Sequence, residues 1–243
     1  MHRLLILYIS LLFSFPALSQ EESSWQFVVT PVLWNASVDA RGSGDSGGDI
    51  SPPDYSFFTL DNLDSYLSIK FEANRGSFGI LFDSLRARYE DTTDRTVANI
   101  VAGSELGFIE LSARYQISHG ADLDLIAGVR RSFLDIDVTL SLSPPLTTSP
   151  TKTSENVWTD PIIGLRYHHP FSDNWHGWVR GDIGGFNVDT KRMYNFTADV
   201  QYLINRYLSF SMGYRYFKID FKDGDILSEV TLNGLQIGLG IHF

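Results

Sequence analysis

The sequence has no cysteine and only three methionines in 243 residues. Without cysteine there are no disulfides, no thiolate metal sites, no thiol catalysis and no lipid-modified cysteine anchor. Beyond Phe15 there is no long apolar run either, and the mean hydropathy is -0.07. A helix that crosses a bilayer needs ~20 consecutive apolar residues, so a helical membrane topology is excluded. Basic residues are in the minority, 19 against 29 acids, for a formal net charge of -10. That balance argues against nucleic acid as a partner.

What is present begins with His2 and Arg3, an apolar stretch from Leu4 to Phe15, and the small residues of Ala17-Leu18-Ser19. This pattern is read as a secretory signal peptide over residues 1–19, cleaved after Ser19, ahead of one domain over residues 20–243. Aromatics make up 14% of the chain and glycines number 20, a profile that suits many strands better than helices. At the far end, Val230 to Phe243 reads VTLNGLQIGLGIHF. Leu235, Ile237, Leu239, Ile241 and Phe243 share one parity; Gly234, Gln236, Gly238, Gly240 and His242 share the other. Side chains of a strand alternate between faces, so one face is greasy and the other small or polar.

The same alternation recurs upstream. Strands are expected at Trp25 to Asn35, Leu67 to Ala73, Phe78 to Tyr89, Ile100 to Ile117, Asp122 to Leu140, Val157 to Pro170, Trp175 to Asn187, Tyr194 to Ile204, Tyr207 to Phe221 and the closing segment. Pro31 falls inside the first of them, where proline is tolerated only at an edge or bulge. Tight turns are expected at Asn74-Arg75-Gly76, Ser118 to Ala121, Ser172-Asp173-Asn174 and Asn205-Arg206. Polar loops are expected at Arg41 to Asp54, Glu90 to Ala98, Ser141 to Asn156, Asp189 to Lys191 and Lys222 to Asp225. In Tyr55 to Tyr66, Phe57, Phe58, Leu60 and Leu63 fall near helical spacing, which predicts a short amphipathic helix in the first long loop.

With these patterns the chain resembles the small bacterial outer-membrane β-barrels of the OmpA/OmpW and porin type. The resemblance implies an all-β antiparallel transmembrane barrel of ten strands, or eight if the first fails to span and one other pair merges. It also implies a location in the cell outer membrane, lipid and lipopolysaccharide as surroundings, and a closing strand whose terminal Phe243 is the signal read by the barrel assembly machinery. In this class the short turns face the periplasm and the long loops face outward.

Sorting by parity puts Leu67, Ile69, Phe71, Phe78, Ile80, Phe82, Ile109, Leu111, Tyr115, Ile163, Leu165 and Tyr167 outside, with Phe196, Val200, Tyr202, Phe210, Met212 and Tyr214. The inward parity collects Lys70, Arg114, Arg130, Arg166, Arg180 and Arg215 against Glu72, Asp83, Glu110, Asp160, Asp182 and Asp199. An Arg or Lys facing lipid at mid-membrane costs about 2–4 kcal/mol, so these charges are expected to point inward and neutralise one another. Beyond Arg131 the parity is mixed: Phe133, Asp135 and Asp137 share one face, and Leu134, Ile136 and Val138 the other. A β-bulge at Arg131 to Phe133, turning the acids inward, is the expectation there.

No catalytic, cofactor or metal residue is assigned. His119, His168, His169, His176 and His242 all fall at short turns or the strand ends beside them, away from the outer loops where barrel enzymes of this class place their histidine. His168 and His169 are neighbours and point to opposite faces. Trp158 and Asp160 point inward near the outer end of a strand; Trp158 is read as part of the outer aromatic belt and Asp160 as partner of an inward Arg. Asp45, Asp49, Asp54, Asp91, Asp94, Asp223 and Asp225 are read as solvated loop charge, with no calcium-loop pattern. The functional expectation is a non-enzymatic structural or surface-interaction protein with a charged, largely filled lumen. The alternatives are a narrow passive channel for a small solute and an outer-membrane hydrolase.

Overall fold

The computed structural model describes residues 24–43, 49–50, 63–95, 98–118, 122–142, 151–222 and 227–243. Its strands are β1 (Gln26–Ser43), β2 (Asp49–Ile50), β3 (Leu63–Arg75), β4 (Phe78–Arg95), β5 (Ala98–Ser118) and β6 (Leu123–Leu142), followed by β7 (Thr151–Pro170), β8 (Trp175–Gly184), β9 (Arg192–Leu203), β10 (Leu208–Asp220) and β11 (Leu227–His242). From β3 to β11 every strand pairs antiparallel with its sequence neighbour, and β1 pairs with both β3 and β11. Val28, for instance, lies opposite Glu72 on one side and His242 on the other. The sheet therefore closes on itself, which removes the unpaired edges of an open sheet. The two-residue β2 adds only a short ladder to Gly42 and Ser43, so ten long strands form the barrel.

Alternation sets which side chains meet inside. Along β5, Ile109 and Leu111 are exposed while Glu110 and Ser112 are buried. Around the short-turn half of the barrel the outer surface is a belt of large apolar residues, among them Phe27, Ile80, Leu165, Phe196, Met212 and Leu239. Towards the long-loop end the pattern inverts. There the inner face carries Trp34, Val38, Leu85, Tyr89, Leu106, Phe217, Ile219 and Leu232, packed as one apolar cluster. The same strands turn Arg86, Arg88 and Asp39 to the outside.

Several expectations are corrected. The β5–β6 and β6–β7 ladders run unbroken through Arg131 to Phe133, so there is no bulge. Leu134 packs against the inner apolar cluster, and alternation leaves Asp135 and Asp137 on the outer face. Acids are cheap outside once the belt has ended, so no bulge is needed. Leu63 to Tyr66, expected at the end of a helix, belong to strand β3; the rest of that proposed helix lies outside the described residues, as does the proposed signal peptide. Strands also run on into the expected loops, with Arg95 paired to Ala98 and Thr139 to Thr151. Ladder hydrogen bonds there do not require an apolar face. β8, by contrast, stops at Gly184, because Gly185, Phe186 and Asn187 take the left-handed conformation at φ 87°, 48° and 60°.

Pro31 leaves a seam. The β1–β3 ladder runs from Gln26 to Pro31 and ends there, while β1 continues beside β11 as far as Gly42. Proline has no N–H to give the ladder. One turn further on, the Trp34 backbone N–H donates to the Tyr66 hydroxyl at 2.8 Å, so a side chain does what the ladder no longer does.

Candidate functional site

The sequence-predicted charges gather inside the short-turn half and at mid-barrel. Arg130 and Glu110 are wholly buried and meet at 2.6 Å, with the Arg130 guanidinium also 2.8 Å from Asp182. Arg180 closes the square, 2.6 Å from Glu110 and 2.9 Å from Asp182. Arg215 pairs with Asp83 at 2.9 Å. Nearer the short turns, Arg166 meets Glu72 at 2.8 Å, and Arg166 and Arg114 share Asp124 at 3.1 and 2.9 Å. Burying charges in this way is tolerable only where the partners and remaining hydrogen bonds are good. Asn195 contributes to that, donating to Asp182 and accepting from Arg215.

Lys70, Asp160 and Asp199 enter no ion pair among the described residues. Lys70 reaches the Gln236 amide oxygen at 3.5 Å, and Asp199 accepts from the Gln236 amide nitrogen at 2.6 Å. Asp160 lies opposite Arg130 in the β6–β7 register, but the guanidinium is taken by Glu110 and Asp182. Its oxygens instead accept the backbone N–H groups of Asp189 and Thr190 at 2.9 and 3.1 Å. Thr159 N–H donates in return to Asp189, so the carboxylates lock the turn after β8 onto β7. Trp158 likewise leaves the expected outer aromatic belt: its ring packs 4.5 Å from Phe221, inside the apolar cluster.

Aromatic rings sit directly against the charges. Arg130 lies over Phe217 and Phe108, and Arg215 over Phe108 and Trp34, with distances of 4.7–5.8 Å to the ring centres. A ring face attracts a cation that has lost its water. Phe108 and Phe217 are 1% and 2% exposed, and Met193 between them and the loop end is 0%. Below this layer, towards the short turns, a polar cavity of about 420 Å³ opens, lined by Lys70, Glu72, Asp83, Arg166, Arg180 and Asp199 among others. Above it, the apolar cluster leaves about 50 Å³ between Val38, Leu106, Trp158 and Leu232.

Sequence reasoning missed Asp124, which shares parity with Arg130 but sits close to a turn. It also missed two contacts that only folding creates. His168 Nε2 and His176 Nδ1 face each other at 2.9 Å across the β7–β8 hairpin, although no group of three metal-ligating side chains occurs among the described residues. Ser209 Oγ lies 2.8 Å from His242 Nε2 and accepts from Gln201 at 2.9 Å. A nucleophile and base need that spacing, but Ser209 is fully buried. His119 and the side chains of the outer loop acids lie outside the described residues.

A closed ten-stranded antiparallel barrel with an apolar outer belt is the architecture of the small outer-membrane β-barrels. No family model matches the chain, and no curated protein does. Among solved structures it is similar to the outer membrane protease OmpT from Escherichia coli, at 10% identity and a TM-score of 0.45 over 93% of this chain and 99% of that one. It is also similar to Ail, the attachment invasion locus protein of Yersinia pestis, at 9% identity and 0.39 over 91% and 99%. Neisserial surface protein A superposes at 15% identity and 0.34 over 90% and 99%. With superpositions this loose, the architecture rests on the pairing of β1 with β11.

Proposed function

We propose that this chain is an integral outer-membrane β-barrel whose charged, side-chain-filled lumen is closed to solutes, and which serves as a non-enzymatic structural or surface-interaction element. The observation that carries the reading is the mid-barrel layer, where Arg130 and Glu110 are 0% exposed and Phe108 and Phe217 close over them. A conducting pore needs continuous water past its narrowest ring. Inverted patterning supports the membrane location: the apolar belt covers the short-turn half, and charge returns to the outer face beyond it. On this reading the belt meets lipid, the outer charged ring of the long-loop end meets lipopolysaccharide, and β11 with Phe243 is the strand read by the assembly machinery. The test is single-channel conductance of the refolded protein in a planar bilayer. Silence is expected; reproducible conductance steps would replace this reading with that of a narrow solute channel.

A further inference from the structure

We infer that the polar cavity at the short-turn end is a binding site for a small zwitterion, a molecule carrying both a primary ammonium and a carboxylate, such as an amino acid or short peptide. This goes beyond a closed barrel, since a lumen blocked at its middle still offers a blind pocket at one end. The cavity's volume, about 420 Å³, falls within the ~300–1,000 Å³ of small-molecule sites. Its walls are not uniformly neutralised. Most of the charges that line it are held in ion pairs, but Lys70 and Asp199 are not, and the Gln236 amide stands between them, touching the ammonium with its oxygen and the carboxylate with its nitrogen. Opposite charges held one amide apart cannot neutralise each other directly. A ligand bearing one charge of each sign can reach both.

Lys70 is not neutralised by the acid nearest it in the ladder either. Asp83 lines the cavity at its inner end, is 5% exposed, and turns a buried Oδ1 with no hydrogen-bond partner, while its Oδ2 is held by Arg215. Lys70 stands opposite Asp83 in the β3–β4 register, yet its ammonium is turned to Gln236. The ligand ammonium would donate to Asp199, and its carboxylate would accept from Lys70. Gly213 keeps the space: a Cβ there would collide with the Asp199 carboxylate.

The test is calorimetric titration of the full barrel, refolded in detergent, with glycylglycine and, separately, with ethylamine and with propionate. Saturable heat is expected with glycylglycine and at least tenfold weaker binding for either half. Lys70→Met and Asp199→Asn should each weaken glycylglycine at least tenfold, while Arg86→Ala, on the outer face, should leave it unchanged. Heat-modifiable migration on a gel verifies that each variant folds. Ser211→Leu, which adds bulk to the cavity wall and leaves every charged residue in place, should abolish binding and serves if a charge variant does not fold. Absence of saturable heat with glycylglycine, undiminished binding in the folded variants, or ethylamine binding as tightly as glycylglycine would overturn the inference. Conductance and binding are separate readouts, so a channel that binds no zwitterion and a closed barrel that does are told apart.

Discussion

The Tyr66 hydroxyl accepts the backbone N–H of Trp34 at 2.8 Å, just past the point where Pro31 ends the β1–β3 ladder. This single bond holds a backbone donor that the proline has deprived of its strand partner. Tyr66→Phe keeps the ring and removes the acceptor. A buried donor left unsatisfied costs about 1–3 kcal/mol, so the urea midpoint of the folded barrel should fall accordingly. An unchanged midpoint would mean that water takes the hydroxyl's place at no cost.

Arg166 stands between Glu72 and Asp124 and lies 4.7 Å over the Trp178 ring. Arg166→Ala would leave Asp124 with Arg114 alone and Glu72 with no ion-pair partner. Removing one partner of a buried pair costs about 3–5 kcal/mol. Glu72 is partly open to the cavity, so the lower end of that range is expected for Arg166→Ala and the upper end for Glu110→Ala, which is wholly buried together with its partner Arg130. Urea unfolding of both variants side by side checks the order. Equal midpoints would remove the distinction between rim and centre.

Leu134 and Asp135 are adjacent and face opposite sides, Leu134 against the inner apolar cluster and Asp135 outward above the belt. Leu134→Asp places an unpaired carboxylate in an apolar interior and should abolish the heat-modifiable folded form. Asp135→Leu should fold normally. The reverse outcome would restore the bulged register in which the acids point inward.

Ser209 and His242 have the separation of a nucleophile and its base but no route for a substrate to the hydroxyl. A fluorophosphonate probe should leave the folded barrel unlabelled. Labelling lost in Ser209→Ala would identify a serine hydrolase and overturn the non-enzymatic reading.

Much of this was legible in order along the chain. Period-two alternation marked the ten strands, and in β5, β10 and β11 it already told outside from inside, because Leu111, Met212 and Leu239 could not share a face with Glu110, Arg215 and Gln236. The outward apolar set was readable for the same reason. Strand ends were less legible: above the belt the ladder continues through polar residues such as Glu90 to Arg95, whose composition is that of a loop.

What the sequence by itself determined is the alternation, and with it which residues of a strand share a face, both of which are local. Only the tertiary structure decided who meets whom. Closure brings Arg215 of β10 to Asp83 of β4 and Arg166 of β7 to Glu72 of β3, across the barrel and far apart in the chain. It also decided that the inner face turns apolar towards the loop end, where Phe217, Leu232 and Trp34 converge from three strands. Parity states which face a residue takes, but height along the barrel, and hence whether that face is bounded by charge or by other apolar groups, is set by register between strands and exists only once the sheet has closed.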